Sequence, residues 1–170
     1  TVETTSDADL DGNVKNLTID LSSEDVNLTS VNIDVQSLNV TGGATSALRT
    51  LDVSALSDFS VSGNMTVDEF NTLKLTALQA DGQAISGDGD VFVTDLANTP
   101  DADLSGITTD FTLELDPNTD LTFKDDTATD AKISVADGQV MTLIGGTSGN
   151  PSSLNVTESD QFEVGMNASV

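Results

Sequence analysis

One acidic segment near the start of the chain has the residue spacing of a calcium loop. Asp7, Asp9 and Asp11 are each separated by one residue, and Gly12 follows the third acid. In calcium loops, carboxylates at this spacing converge because the backbone turns at the glycine. The segment therefore predicts a calcium site, although Thr18 stands where the complete motif has a bidentate glutamate. A solvated turn that leads into the next strand is the alternative interpretation.

Two further acidic segments are weaker candidates for calcium ligands. Asp101 and Asp103 repeat the first two acids of that loop, with Ser105 in place of the third. Asp88 and Asp90 flank a glycine, but their spacing does not match the glycine-rich repeat of calcium β-rolls. A tight hairpin turn before the strand that starts at residue 91 is the favoured interpretation of this run. Ca²⁺ is the only cofactor that the sequence predicts.

The residue types that the chain lacks exclude most enzyme mechanisms. Its 170 residues include no His, Cys, Trp or Tyr. Without His and Cys, a protein has no histidine proton shuttle, no thiol nucleophile and no thiolate metal site. Paired carboxylates could still serve in glycoside hydrolysis, but no pair among the 29 acidic residues is marked by a second feature. The sequence therefore predicts that the protein is not an enzyme.

The net charge of -24 restricts the partners of the chain. Binding to nucleic acid depends on Lys and Arg at the phosphates, and only 5 basic residues are present, so nucleic acid is excluded. An anionic membrane surface is repelled for the same reason. No apolar run approaches the ~20 residues that a membrane-spanning helix needs, so membrane insertion is not expected.

Short apolar alternations recur along the chain and predict its fold. Each predicted unit is an apolar-x-apolar strand, a polar loop rich in Asp, Asn, Gly and Ser, and a second such strand. The eight units cover residues 17–28, 31–40, 51–61, 73–85, 91–104, 111–123, 133–143 and 154–164. Short strands that recur about every 20 residues predict an all-β fold, a parallel β-solenoid (β-helix) of about eight short coils. Tandem β-sandwich domains are the alternative, although the Trp and Tyr that often mark their cores are absent.

One segment departs from the strand pattern. Thr66 and Glu69 have the spacing of a capping box, and Phe70, Leu73 and Ala77 fit one face of a helix. This predicts a short helix at about residues 67–72, followed by a strand. The alternative is that strand pairing continues through the segment, because the coil register requires a strand at Leu73.

A longer repeat overlies the short one. Residues 7–21 are similar to residues 101–115, and residues 51–63 are similar to residues 154–166. The alignment predicts a first super-repeat of about five coils at residues 1–94 and a second, incomplete one at residues 95–170, within one continuous solenoid. We expect the chain to be a piece of a tandem array.

Residues 45–63 (TSALRTLDVSALSDFSVSG) and residues 66–109, which begin TVDEFNTLKLTALQADGQ, resemble a known group of repeats. They are similar to the tandem repeat units of giant bacterial extracellular proteins, the adhesin-like β-strand-repeat arrays often exported by type I secretion. Through the super-repeat, the resemblance extends over nearly all of the chain. It implies extenders between terminal adhesive and secretion modules, frequently stiffened by calcium. The nonapeptide calcium signature of such proteins is absent here, which leaves the Asp-rich turns as candidate ligands.

Pattern and resemblance together predict a non-catalytic structural repeat of a long secreted or cell-surface protein. It would act as an extender, stalk or adhesive fibre in cell attachment or biofilm matrix, at an extracellular or cell-surface location. Its expected partners are neighbouring repeats of the same array, with a polysaccharide or another cell surface as further candidates. Two alternatives stay open: a carbohydrate-binding or carbohydrate-cleaving β-helix, and a self-assembling filament or surface-layer subunit that associates end to end.

Overall fold

The computed structural model describes residues 9–99, 102–115 and 141–145, and β-strands carry nearly all of their regular structure. The strands are β1 (Asp9–Asp20), β2 (Val26–Asn27), β3 (Asn32–Thr41), β4 (Arg49–Asp52), β5 (Phe59–Val61), β6 (Asn64–Val67), β7 (Asn71–Thr76), β8 (Ala84–Gly87), β9 (Asp90–Thr94), β10 (Phe111–Leu115) and β11 (Met141–Gly145). A single helical turn, α1 (Ala77–Ala80), and a 3-10 helix at Leu96–Asn98 complete the described elements.

The strands form two sheets, and all pairs between these strands are parallel. Sheet A has the order β1-β3-β6-β8, with β5 also paired to β3, and sheet B has the order β2-β4-β7-β9-β10-β11. The chain passes from sheet A to sheet B and back, and this stack makes about five turns. The predicted all-β parallel solenoid is therefore confirmed. The antiparallel sandwich alternative is wrong for the part of the chain that the structure describes.

The predicted count of eight coils is not supported, because the described residues make about five turns and one of the predicted units is not a full turn. The unit at residues 31–40 belongs to a single strand, β3, so Gln36 and Ser37 lie inside that strand rather than in a loop. Val35 and Leu38 on either side of them are both buried. The alternation of buried and exposed residues thus shifts by one residue here, while the chain stays in sheet A. The unit therefore supplies only the sheet A side of a turn.

Columns of aligned apolar residues fill the space between the sheets. The column on sheet B contains residues that are at most 2% exposed: Leu51, Leu73, Val91 and Phe111. The column on sheet A is formed by Leu17, Leu38, Met65, Ile85 and Ile107, which are also buried. Full burial of one such side chain contributes about 1.5–3 kcal/mol, and stacking provides the burial that a single turn lacks. The apolar residues that alternate along the sequence are the residues that form these columns.

The helix predicted at residues 67–72 is wrong. Val67 ends β6 and Asn71 begins β7, so the residues between them form a tight turn in which Phe70 has a positive φ of 66°. A helix there would remove strand residues from pairing with Val40 and Arg49 of the preceding turn. The helical turn lies instead at α1, where Thr76 is the N-cap and shares a capping box with a glutamine three residues later.

Equivalent positions of the two predicted super-repeats do not occupy the same sheet. Leu17 and Ile19 lie in β1 of sheet A, whereas their sequence counterparts Phe111 and Leu113 lie in β10 of sheet B. Most of the second copy lies outside the described residues. The division of the chain at residue 94 stays a prediction.

The chain leaves the stack at residues 44–48, between β3 and β4. Ala44 and Ala47 form an antiparallel bridge across this excursion, and Leu48 is 71% exposed. The equivalent connection between β6 and β7 consists only of residues 68–70, yet Leu51 and Leu73 on the following strands pair directly. The corner between the sheets therefore varies in length while the strands stay aligned.

Candidate functional site

The first predicted calcium segment lies in a strand with a bulge. Asp9 and Asp11 belong to β1, whose pairing with β3 is interrupted between Leu10 and Val14. Residues 11–13 thus stand opposite a single residue of β3, a geometry that a glycine permits. Asp7 lies outside the described residues. Gly12 therefore lies in a bulged strand, and calcium binding at this segment stays a prediction.

A recurring corner motif uses the carboxylate of an aspartate inside the fold. Its three copies are Asp20-Leu21-Ser22, Asp52-Val53-Ser54 and Asp103-Leu104-Ser105. In each copy, Oδ1 of the aspartate accepts the N–H of the serine, at 2.9, 3.0 and 3.1 Å. The apolar residue between them is fully buried at 0% exposure. This is an Asx turn, which lets the chain change direction while the buried residue stays in the core, and the first two copies begin at the last residue of a strand.

The carboxylate of Asp103, a residue of the second predicted calcium segment, is therefore hydrogen-bonded within the protein. Its Oδ1 also accepts the hydroxyl of Ser105 at 2.6 Å, and its own N–H donates to Oδ1 of Asp81 at 2.7 Å. Asp101 lies outside the described residues. Sequence reasoning missed this role, although the Asp-apolar-Ser spacing was visible as its signal.

Asp88 and Asp90 lie at the corner between β8 and β9. The predicted turn is present, but β8 and β9 belong to different sheets, so it is a corner of the solenoid and not a hairpin. Partial burial and the negative charge of Asp110 in the next turn raise the pKa of Asp90. Within the residues that the structure describes, no three acidic side chains come together as a metal-binding group. Calcium binding stays a prediction.

Two buried polar side chains hold the same corner together from one turn to the next. The amide nitrogen of Asn71 donates to the carbonyls of Asp68 and Glu69, both at 3.0 Å, and its oxygen accepts the N–H of Gly43 at 2.9 Å. Further along the chain, the hydroxyl of Thr109 donates to the main-chain carbonyl of Gly89, one turn earlier. Asn71 and Thr109 are 1% and 2% exposed.

The outer face of sheet B carries a mixed column of side chains. Lys74 in β7 forms an ion pair with Asp52 in β4, with 2.9 Å between Nζ and Oδ2. Partial burial raises the pKa of Asp52, but hydrogen bonds from Ser54 and Lys74 and the charge of Lys74 outweigh it and lower the pKa. The column continues through Phe92 and Thr112. It brings together an aromatic ring, a cation and a carboxylate that lie far apart in the sequence.

Comparison with protein families, with curated proteins and with solved structures finds no match to this chain. Within the described residues, no helix is long and apolar enough to cross a membrane.

Proposed function

We propose that the chain is a non-catalytic structural repeat, an extender or stalk segment of a long secreted or cell-surface protein. The observation that supports this most directly is the in-register parallel stack of its turns. Each turn packs on its neighbours in the same way, so every added turn lengthens the stack by about 4.8 Å at constant width. A spacer needs a length that rises in proportion to the number of its turns.

The polar groups of the stack support the same function. Carboxylates at the Asp-apolar-Ser corners and the amide of Asn71 are hydrogen-bonded within the protein, where they fix the path of the chain. The net charge of -24 keeps neighbouring copies apart in solution. A stalk of this kind is stiffened by its corners and kept soluble by its outer faces.

The test is whether length scales with copy number. Proteins with one, two and three tandem copies of the 170-residue sequence are compared by small-angle X-ray scattering. We expect the maximum dimension to rise linearly while the cross-sectional radius of gyration stays constant. A cross-section that grows with copy number would contradict the proposal, because the copies would then pack side by side.

The filament alternative is separated from the stalk by its dependence on concentration. Light scattering from the single-copy protein should report a monomer at every concentration if the segment is a spacer. Growth to long linear particles as concentration rises would favour end-to-end assembly instead.

A further inference from the structure

Phe92 occupies an outward position near the centre of sheet B. Its neighbours in β9, Val91 and Val93, are 1% and 0% exposed, whereas Phe92 is only partly buried. The residues aligned with it are Lys74 in β7 and Thr112 in β10. The other phenylalanines whose side chains the structure describes pack into the core or lie in a turn. Burial in the core therefore does not account for an aromatic ring at this position.

The ammonium group next to Phe92 is engaged elsewhere. Nζ of Lys74 lies 2.9 Å from Oδ2 of Asp52. Asp52 belongs to β4, on the side of β7 that faces away from β9. The charge of Lys74 is thus balanced by a carboxylate on the far side of β7, which leaves the partly buried ring of Phe92 without this cation as its charge partner.

Carboxylates share the outer face with Phe92, one in its own strand and one in the next strand. Asp90 lies two residues before Phe92 in the same strand and is exposed. Glu114 lies two residues after Thr112, the partner of Phe92, and therefore shares the outer face of β10. Partial burial, together with the negative charge of Asp110 just before β10, raises the pKa of Asp90. A positive charge placed here would relieve the repulsion between these acids.

We propose that this outer face, formed by Phe92, Asp90, Thr112 and Glu114, binds a cationic amino-sugar polysaccharide. The C–H face of a sugar ring stacks on Phe92, and the ammonium group on the sugar pairs with Asp90 or Glu114. Thr112 supplies a hydroxyl for the hydroxyls of the sugar. The inference goes beyond the stalk function, since a spacer needs no ligand.

Charge and topology favour this occupant over other polymers. An anionic polysaccharide would be repelled by a chain of net charge -24. A basic peptide usually adds to a sheet at an unpaired strand edge, but β9 is already paired with β7 on one side and β10 on the other. A sugar polymer lies on a flat face through ring stacking and side-chain hydrogen bonds, without needing backbone partners.

The experiment is calorimetric titration of the full chain with a glucosamine hexamer. We expect binding that weakens as salt is added, because paired charges are screened. Phe92→Ala should lower the affinity about threefold to fivefold, and Phe92→Leu should lower it less. Asp90→Asn should weaken binding more than Asp34→Asn, a matched charge change at an exposed position of β3 on the other sheet. Circular dichroism confirms that each variant keeps its β-structure.

Three results would overturn the proposal. If the hexamer of N-acetylglucosamine binds equally well, the ammonium group is not recognised. If hexalysine binds equally well with the same dependence on Phe92, the ligand is not a sugar. If Phe92→Ala binds like the unaltered chain while Asp90→Asn and Asp34→Asn weaken binding to the same extent, the attraction is non-specific. Failure of the stalk function would leave the binding result unchanged, because this titration does not depend on the length of the particle.

Discussion

The side-chain oxygen of Asn71 accepts the backbone N–H of Gly43 at 2.9 Å, so one buried amide joins two successive turns of the stack. The same amide donates to two carbonyls of its own turn, at Asp68 and Glu69. Close approach is possible because residue 43 is glycine: a Cβ there would lie 2.2 Å from the carbonyl oxygen of Phe70. The corner between the sheets is therefore held by polar bonds and not by apolar packing alone.

Replacing Asn71 should destabilise the protein strongly. Asn71→Ala leaves one N–H and two carbonyls in a partly buried corner without their side-chain partner, which we expect to lower the free energy of unfolding by about 2–3 kcal/mol. Urea denaturation followed by circular dichroism measures the change. Asn39→Ala is the matched control, since Asn39 is half-buried and its side-chain bond to Thr18 is long at 3.5 Å. Equal losses in both variants would contradict a special role for Asn71.

The Asp-apolar-Ser corners predict a graded response at Asp103. Asp103→Ala removes the acceptor for the N–H and hydroxyl of Ser105 and should lower the free energy of unfolding by about 1 kcal/mol. Asp103→Asn keeps an acceptor oxygen and should cost less. Thermal unfolding of both variants, beside Asp34→Ala as an exposed acid outside this motif, tests the expectation. If all three variants unfold at the same temperature, the motif has no structural role.

Asp52 and Asp90 should respond to acid in opposite ways. The pKa of Asp52 is lowered in the folded protein, so its ionised form stabilises the fold above the unfolded value of 3.8 and this contribution is lost as the pH falls further. The pKa of Asp90 is raised, so its ionisation weakens the fold at neutral pH and the penalty disappears as the pH falls through its folded pKa.

At pH 7, Asp52→Asn should therefore destabilise the protein and Asp90→Asn should stabilise it. Both differences from the unaltered chain should shrink towards pH 3, where the carboxyl groups become protonated. Chemical denaturation at several pH values measures them. An Asp90→Asn variant that is less stable than the unaltered chain at pH 7 would show that hydrogen bonding, not repulsion, dominates at this corner.

Calcium should raise the melting temperature if the first acidic segment binds it. We expect a rise on addition of millimolar Ca²⁺, in the range of weak extracellular sites, and its loss in Asp9→Ala and Asp11→Ala. Asp34→Ala should keep the rise. An equal effect of Na⁺ at matched ionic strength would instead assign the stabilisation to screening of the net charge.

Local alternation was enough to predict the architecture, because inward residues such as Leu73 and Leu75 are separated by one outward residue. It was not enough to count turns. The pair Gln36 and Ser37 is typical of a loop in sequence, but in β3 it is a phase change within one continuous strand, where Ser37 pairs with Asn16 of β1. Strand pairing across turns decides between these interpretations, and no local pattern contains it.

The helix was misplaced for a related reason. Two capping boxes stand close together, one starting at Thr66 and one at Thr76, and both satisfy the local rules for a helix start. In the second box, the side chain of the fourth residue is bonded to the previous turn. Nε2 of Gln79 donates to the carbonyls of Val53 and Leu56 at 2.9 and 3.1 Å. Tertiary bonds of this kind also explain why Asn71 could not be recognised in advance.

The excursion at residues 44–48 has a consequence for how such a protein can change over generations. It lengthens one corner without disturbing the pairing of Leu51 with Leu73 in the strands that follow. Insertions at this corner therefore leave the spacing between successive turns unchanged. An insertion within a strand, by contrast, would turn its core residues outward. New loops, and any guest peptide grafted by design, can be accepted there without altering the reach of the molecule.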